Sequence, residues 1–266
     1  MRASPNGVEY LDVGEARQRS GIRLVLTLGV PGPWGEAAKG LLHAKGIPFE
    51  RVAQDPGLPN EALREWTGLS NAPQLVYDDE APLHAWADLV FFAEQLQPEP
   101  ALIPRDPGER ALMFGLIREI AGEQGLGWCR RLGLFHPLLS SPGARENPAL
   151  EVVVRLGERY RYSAEAAEAA PARIAGVLDL LAERLAGQRA AGSRYLVGNH
   201  LSALDIYWAT FAGMFAPMPE ELCPMQDFMR QQYSAADPRV LAALVPELLE
   251  HRDFVYREHL ELPVRT

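Results

Sequence analysis

The segment of this sequence best suited to chemistry is the turn PGPWG, residues 31–35, which joins the apolar run IRLVLTL to a helical pattern. A turn from a strand into a helix favours reaction, because the free N–H groups at a helix N-terminus stabilise an anion. The residue at this turn is Gly32, which has no side chain to act as a nucleophile or base. Chemistry there would depend on the backbone amides of Trp34 and Gly35, so the sequence assigns no catalytic side chain.

Two other side chains could take part in catalysis. Thr27 is the hydroxyl nearest to the turn, but a threonine in a buried strand is usually a packing residue. Cys129 is expected on the first long helix of the second half of the chain. It precedes Arg130 and Arg131, and an arginine on the same face would lower the pKa of the thiol. Adjacent residues do not share a helix face, so at most one arginine can act. The alternative is a buried thiol that behaves as a small apolar residue.

Neither the cysteines nor the histidines show the spacing of metal ligands. Cys129 and Cys223 form no CxxC pair, and the six histidines include no HxxxH pair. We therefore expect no metal site, and two isolated cysteines favour a reduced, cytoplasmic protein.

The first part of the chain alternates between strand and helix patterns, which predicts an α/β domain at residues 22–97. The order is strand, helix, strand, helix, a hairpin of two short strands, and helix: GIRLVLTLG, WGEAAKGLLHAKG, IPFERVA, NEALREWTG, APQLVYDDEAPLHAW and ADLVFFAEQLQ. Pro33 suits the first position of the first helix and Gly46 suits its end. Residues 1–21 are expected to form an N-terminal extension.

A proline-rich stretch separates this domain from the second half of the chain. PEPALIPRDPGER holds four prolines and predicts a stiff connector over residues 98–108. After it the apolar spacing is helical throughout, which predicts an all-helical domain over residues 109–266.

Composition excludes two classes of partner. The chain has 266 residues, of which 47% are hydrophobic, and a formal net charge of -9. A nucleic-acid surface needs a basic stripe to release counterions, and the sequence has none. No segment reaches the roughly 18 apolar residues of a membrane span, so we expect neither nucleic acid nor membrane as a partner.

Three motifs are similar to those of the cytosolic glutathione S-transferase family, and the resemblance covers about residues 22 to 260. The motifs are GPWGEAAKGLLHAKGI at the first turn and helix, WTGLSNAPQLV before the third strand, and LVGNHLSALDIYWA in the second half. The resemblance implies an N-terminal thioredoxin-like domain of order βαβ-α-ββ-α followed by an all-α helical bundle. It also implies glutathione as co-substrate.

The same resemblance implies which residues meet the ligands. Glutathione would contact three segments: Gly32, Pro33 and Trp34, then Asn71, Ala72 and Pro73, then Ala85 and Trp86. In the family a cis-proline opens the third strand, so the peptide bond before Pro73 is expected to be cis, leaving the backbone of Ala72 to pair with the cysteinyl residue of glutathione. Trp128 and Arg131 are expected in the substrate pocket, although Trp128 could instead fill the core.

Two positions depart from the family pattern. Gly32 stands where many members carry serine or cysteine, and no tyrosine lies near the end of the first strand. Ala85 and Trp86 stand where the family has an acidic residue and a serine that hold the γ-glutamyl end of glutathione. Glu80 or Asp88 could replace that acid, or could simply be solvated in the acidic turn and its neighbourhood.

Two functions follow from these features. The first is glutathione-dependent transfer, cleavage or isomerisation of a small hydrophobic electrophile by a homodimeric enzyme. The second is a binding or assembly module of the same fold that lacks chemistry. A thiol reductase of glutaredoxin type would need a cysteine at the turn, where this chain has none.

The third motif is interpreted as structural. Ser202 and Asp205 have the spacing of a capping box, in which each residue bonds the other's backbone amide. As a cap alone, Asp205 would contribute about 1 to 2 kcal/mol to stability.

Overall fold

The computed structural model describes all 266 residues. The N-terminal segment comprises the short strands β1 (Arg2–Ala3) and β2 (Glu9–Tyr10) and the helix α1 (Val13–Ala16). It is joined to the α/β domain by backbone hydrogen bonds, since the Leu11 amide donates to Arg51 and the Ala53 amide donates to Leu11, at 2.8 and 3.0 Å. Residues expected to form a separate extension therefore add to one edge of the sheet.

The sheet of the α/β domain has three strands, β3 (Ile22–Thr27), β4 (Glu50–Gln54) and β5 (Gln74–Tyr77). Their order is β4-β3-β5, with β4 parallel and β5 antiparallel to the central strand. β3 is almost wholly buried, as its continuous apolar run predicts. The predicted hairpin that begins with β5 is shorter than expected, because its second strand is reduced to one antiparallel bridge, between Leu75 and Leu83.

The helices of this domain are α2 (Pro33–Ala44), α3 (Glu61–Thr67) and α4 (Trp86–Leu96). α2 begins at the N-cap Gly32 with Pro33 at its first position, as predicted, and the chain leaves it through Gly46, which has a φ of 65°. The strand-turn-helix pattern therefore places the N-terminus of α2 at the end of the central strand.

The rest of the chain is helical. After the connector come α5 (Pro107–Ala121), α6 (Leu126–Leu139), two 3-10 turns at residues 144–150, α7 (Glu151–Arg159), α8 (Ala164–Ala190), α9 (Ala203–Ala212), α10 (Asp227–Ser234), α11 (Pro238–Ala243) and α12 (Pro246–His259). The predicted helical half is confirmed, but Cys129 lies on the second helix of this half rather than on the first. Gly122 and Gly125 end α5 and start α6, dividing the helix expected there. No helix has both the length and the apolar character needed to span a membrane.

One hydrophobic core runs through both halves, and the close approach of α2 to α9 shows why. A Cβ added at Gly40 of α2 would lie 2.7 Å from Ile206 Cγ2 of α9, so the absence of a side chain lets the two helices meet. The halves are therefore held against each other.

Asp205 at the start of α9 is fully buried and bonds more groups than a capping residue needs. The capping box with Ser202 is present, and the Ser202 amide and hydroxyl donate to Asp205 Oδ2 at 2.9 and 2.7 Å. Asp205 Oδ1 also accepts from the Leu196 amide at 2.8 Å and lies 2.9 Å from His251 Nε2 of α12. This carboxylate therefore ties the loop before α9 to the last helix of the bundle.

Candidate active site

A cleft of about 820 Å³ lies between the two halves of the molecule, within the size range of small-molecule sites. The α/β domain lines it with the turn before α2, the loop before β5 and the start of α4, whereas the helical domain lines it with α5, α6 and α7. Nine of the ten predicted ligand-contact residues line this cleft, and Pro33 does not. The nine that line it are Gly32, Trp34, Asn71, Ala72, Pro73, Ala85, Trp86, Trp128 and Arg131.

The N-terminus of α2 opens into this cleft. The first amide bonded within the helix is that of Glu36, which donates to Gly32 at 2.8 Å, so the amides of Trp34 and Gly35 precede it. Gly32 has φ -70° and ψ 126°, an extended conformation that any residue can adopt. A Cβ at this position would meet no atom within 4 Å. The backbone therefore does not require glycine here, and a side chain would have space.

Trp34 joins the two domains at the cleft. Its Nε1 donates to the Ala121 carbonyl at 2.8 Å, and its ring packs edge-on against Phe211, with centroids 4.8 Å apart. Gly127 of α6 makes this approach possible, because an added Cβ would lie 2.4 Å from Phe211. Trp34 thus has a structural contact in addition to its place in the cleft wall.

The loop before β5 exposes backbone to the cleft. The Ala72–Pro73 peptide bond is cis, as predicted. The buried Gln74 side chain donates to the carbonyls of Asn71 and Leu69, which holds the loop in place. The backbone N–H and C=O of Ala72 form no hydrogen bond with the rest of the backbone. They are therefore free to pair with an extended peptide.

The start of α4 also faces the cleft through Ala85 and Trp86. The first amide bonded within this helix is that of Leu89, to Ala85 at 3.2 Å, and the N-cap Ala85 offers no side-chain bond. Glu80 and Asp88 do not line the cleft. Neither carboxylate therefore occupies the place of the family's acidic residue, and what remains there is a helix N-terminus.

Two hydroxyl groups line the cleft near the turn, and neither is set up as a base. Thr27 Oγ1 donates to Gln54 Oε1 at 2.8 Å. Tyr10 comes from the N-terminal segment, and burial, reinforced by the nearby Glu36, raises its pKa to about 12. No pattern in the sequence indicated Tyr10, because its approach to the cleft depends on how residues 1–21 pack against the sheet. No cluster of three His, Cys, Asp or Glu side chains is arranged to hold a metal ion.

Cys129 is buried, as in the second of its two predicted interpretations, and is not a reactive thiol facing the cleft. It is 6% exposed and does not line the cleft. Burial raises the pKa of its thiol, and the cation that acts on it is Arg173 rather than either neighbouring arginine. Arg130 turns away to donate to the carbonyls of Met214 and Ala235, at 3.0 and 2.6 Å.

We expect Cys129 to be inert in the folded protein. Its thiolate is disfavoured by burial, so alkylation by iodoacetamide at neutral pH should be at least about tenfold slower than that of a free thiol of ordinary pKa. Mass spectrometry of the native and the denatured protein measures the difference. Rapid labelling of Cys129 in the native state would contradict this assignment.

Several charged residues of the cleft were not predicted. Besides Arg131, four arginines from α3, α5 and α7 line it: Arg64, Arg118, Arg155 and Arg159. The signal for the last two was present, because Arg155 and Arg159 are four residues apart and therefore share a helix face. Which way that face points depends on packing. The structure also brings Phe135 and Tyr160 into the wall.

Known proteins resemble this chain in two ways: one family model matches part of its second domain, and solved structures share its fold. Residues 164–245 match the family model described as the glutathione S-transferase C-terminal domain. No curated protein sequence matches the chain significantly.

Solved structures similar to this chain extend over nearly its full length. A glutathione S-transferase of Methylobacterium radiotolerans, in complex with glutathione sulfonate, has a TM-score of 0.60 at 19% identity and covers 90% of this chain and 92% of its own. A rice transferase in complex with glutathione has a TM-score of 0.58 at 16% identity and covers 92% of this chain and 94% of its own. The glutathione transferase Omega 3C of Trametes versicolor has a TM-score of 0.55 at 15% identity and covers 93% of this chain and 85% of its own.

At these identities the structural likeness shows the fold of nearly the whole chain, and the family model matches one part of the helical domain, residues 164–245. The family model agrees with the helical second domain, and the similar structures agree with the fold of both domains. This protein therefore has the fold of the glutathione S-transferases over nearly its whole length, and residues 164–245 of its helical domain are similar to the glutathione S-transferase C-terminal domain.

Proposed function

We propose that this protein binds glutathione in the α/β half of the cleft and transfers it to, or uses it to cleave or isomerise, a small electrophile in the other half. The observation that carries the proposal is the unpaired backbone of Ala72 beside the free N-terminus of α2. The cysteinyl residue of glutathione pairs with Ala72 like an added strand. Glutathione or its sulfonate is bound in two of the similar structures, which supports this choice of ligand.

The N-terminus of α2 supplies the activation of the thiol. The amides of Trp34 and Gly35 stabilise a thiolate as they would any anion. Such a helix end contributes about 0.5 to 2 kcal/mol, which lowers the thiol pKa by about one unit. Without a hydroxyl at position 32, turnover of unactivated electrophiles is slow.

The N-terminus of α4 holds the γ-glutamyl end. The free amides that precede Leu89 bind its carboxylate, whereas its ammonium group has no acidic partner at Ala85. Asn71, in the wall beside Ala72, is placed to contact the peptide. Because one charged contact of the family pattern is missing, we expect binding in the millimolar range.

The protein works as a cytoplasmic homodimer in this proposal. Both cysteines are free and buried, which suits a reducing compartment. Phe91 of α4 is 47% exposed and stacks on Phe114 of α5, with centroids 5.0 Å apart. An exposed aromatic side chain such as Phe91 is typical of a surface that another protein covers, and a second copy of the chain is the partner proposed here.

The second candidate is a binding module that has lost its chemistry. Two observations favour it: position 32 is glycine and carries no serine, cysteine or tyrosine side chain, and the pKa of Tyr10 is raised. The two candidates differ in turnover and not in binding.

Glutathione at 10 mM should raise the melting temperature by about 2 to 4 °C. With a Kd of about 1 mM, glutathione stabilises the folded state by about 1.4 kcal/mol. In a chain of this size, that stabilisation raises the melting temperature by about 2 to 4 °C. The tripeptide γ-Glu-Ala-Gly, which lacks the thiol, should give a similar shift, because the backbone contacts carry the binding.

Turnover of an activated aryl halide with glutathione then separates the two candidates. Slow but enzyme-dependent conjugation supports the transferase, and binding without conjugation supports the binding module. Absence of any thermal shift with either tripeptide would refute the glutathione site itself.

A further inference from the structure

The cleft is strongly cationic in a protein that is acidic overall. The chain has a formal net charge of -9, yet the wall of the cleft contains five arginines and only two carboxylates. These are Arg64, Arg118, Arg131, Arg155 and Arg159, against Glu36 and Glu123. Such a concentration of one charge in a concave site attracts a ligand of the opposite charge.

Neither carboxylate neutralises these arginines. Glu36 pairs with Lys39 at 2.9 Å, and Glu123 pairs with Arg161 at 2.7 Å, and neither of those cations lines the cleft. Of the five arginines, only Arg155 forms an ion pair with a carboxylate, Glu151, at 3.4 Å. The other four have no carboxylate partner in the protein.

Arg131 is the most deeply placed of these cations. Its Nε atom is buried without a hydrogen-bond partner. Burial acts to lower its pKa, but Tyr233 and Tyr160 beside it offset this effect and the pKa remains above its ordinary value, so the side chain stays charged. No carboxylate is among the groups that act on it. A half-buried guanidinium that has no carboxylate partner favours a bound anion, because the anion supplies the missing counterion.

Apolar and aromatic side chains alternate with the arginines in this part of the wall. On α6, Trp128, Arg131 and Phe135 follow at intervals of three and four residues and share one helix face. Tyr160 directly follows α7. The centroid of its ring lies 4.7 Å from that of Trp128 and 5.7 Å from that of Phe135. Arg159, next to Tyr160, lies at the exposed rim of the cleft.

We propose that the helical-domain half of the cleft takes a carboxylic acid with an aromatic body, held by Arg131 and Arg159 through its carboxylate and by the Trp128, Phe135 and Tyr160 rings through its body. This inference deepens the proposed function and rests on it, since it names the class of the second substrate. Guanidinium groups bind carboxylates through two parallel hydrogen bonds, and the rings supply offset stacking. A purely hydrophobic electrophile would leave the Arg131 charge desolvated and unpaired.

The γ-glutamyl carboxylate of glutathione is assigned to another part of the cleft, the N-terminus of α4. The proposed glutathione contacts are all on the α/β domain, at Ala72 and at the N-termini of α2 and α4, whereas Arg131 and Arg159 lie at α6 and at the end of α7. The two ligands therefore use different charged groups.

The test compares naphthoate with naphthamide, two probes of the same shape that differ in charge. Their binding is measured by calorimetry in the presence of saturating S-methylglutathione, which occupies the first half of the cleft without reacting, and again without it. Naphthoate should bind about tenfold more tightly than naphthamide, because hydrogen bonds to a charged group are the stronger ones. High salt should reduce the difference.

Variants assign the effect to residues. Arg131→Gln and Arg159→Gln should each remove most of the preference for the acid while leaving the naphthamide affinity within about twofold. Arg159 is exposed, so its variant tests the proposal even where Arg131→Gln fails to fold. Arg145→Gln is the matched control, because Arg145 is an exposed arginine of the helical domain outside the cleft, and its loss should leave the preference unchanged.

The outcomes separate this inference from the function on which it rests. Equal binding of the two probes by the unmodified protein, or a preference that survives both cleft variants, would overturn the inference. Loss of S-methylglutathione binding in Arg131→Gln with the naphthoate preference intact would assign the arginine to glutathione and also overturn it. A clear preference for naphthoate in a protein that does not bind S-methylglutathione would instead reject the proposed function and retain the acid site.

Discussion

Replacing Asp205 with alanine is expected to lower the free energy of unfolding by about 3 to 5 kcal/mol. The change removes the acceptor of the Ser202 amide and hydroxyl and of the Leu196 amide, and leaves His251, which is 1% exposed, without its partner. Each buried polar group that loses its partner adds a desolvation cost. This exceeds the 1 to 2 kcal/mol expected for a helix cap alone.

The measurement is urea denaturation of the variant beside a matched control. Asp106→Ala removes an exposed N-cap that accepts one bond, from the Glu109 amide at 2.8 Å, and should cost only about 1 kcal/mol. Similar losses in the two variants would show that Asp205 acts as a cap and nothing more. Glutathione binding should be retained in any folded fraction, since Asp205 does not line the cleft.

A cysteine introduced at Gly32 is expected to have a depressed thiol pKa and to carry out disulfide exchange that the parent lacks. The position faces the cleft at the N-terminus of α2, adopts an extended conformation, and has no atom within 4 Å of an added Cβ. The positive end of the helix stabilises the thiolate, so the pKa should fall from about 8.5 by about one unit or more. Alkylation at pH 7 should accelerate accordingly.

The introduced thiol is measured in a background where Cys129 and Cys223 are replaced by alanine. The rate of iodoacetamide alkylation is followed against pH, and exchange is followed with a mixed disulfide of glutathione. Gly187→Cys in the same background is the control, because position 187 is exposed within α8, near its C-terminal end, and its Cβ also meets no atom within 4 Å. Its thiol should keep an ordinary or slightly raised pKa.

Equal pKa values at the two positions would mean that position 32 does not face an anion-stabilising site. The binding module would then replace the transferase as the preferred function. A depressed pKa only at position 32 would show that the turn retains the electrostatics of an active site even though its side chain is absent.

The parts of the molecule that could be predicted from the sequence depend on near neighbours in the chain. The turn at Gly32 and Pro33 and the capping box of Ser202 and Asp205 are present as expected. Both are specified within a few residues, by the restricted backbone of proline or by a side chain that reaches its own helix end. The cis bond before Pro73 is also present, but it was expected from the family resemblance and not from the neighbouring residues. Apolar periodicity likewise determined the order of strands and helices.

Tertiary packing alone decided which side chains meet. Tyr10 reaches the cleft because Leu11 pairs with β4, and Asp205 binds His251 because α9 and α12 lie together. Cys129 and Arg131 are two residues apart, yet the thiol is buried in the core and the guanidinium faces the cavity. A helical pattern shows which residues share a face, but the partner of that face is chosen by burial of apolar surface between segments far apart in the chain. The charge of the cleft, and with it the chemical class of its ligand, is therefore a property of the packed structure.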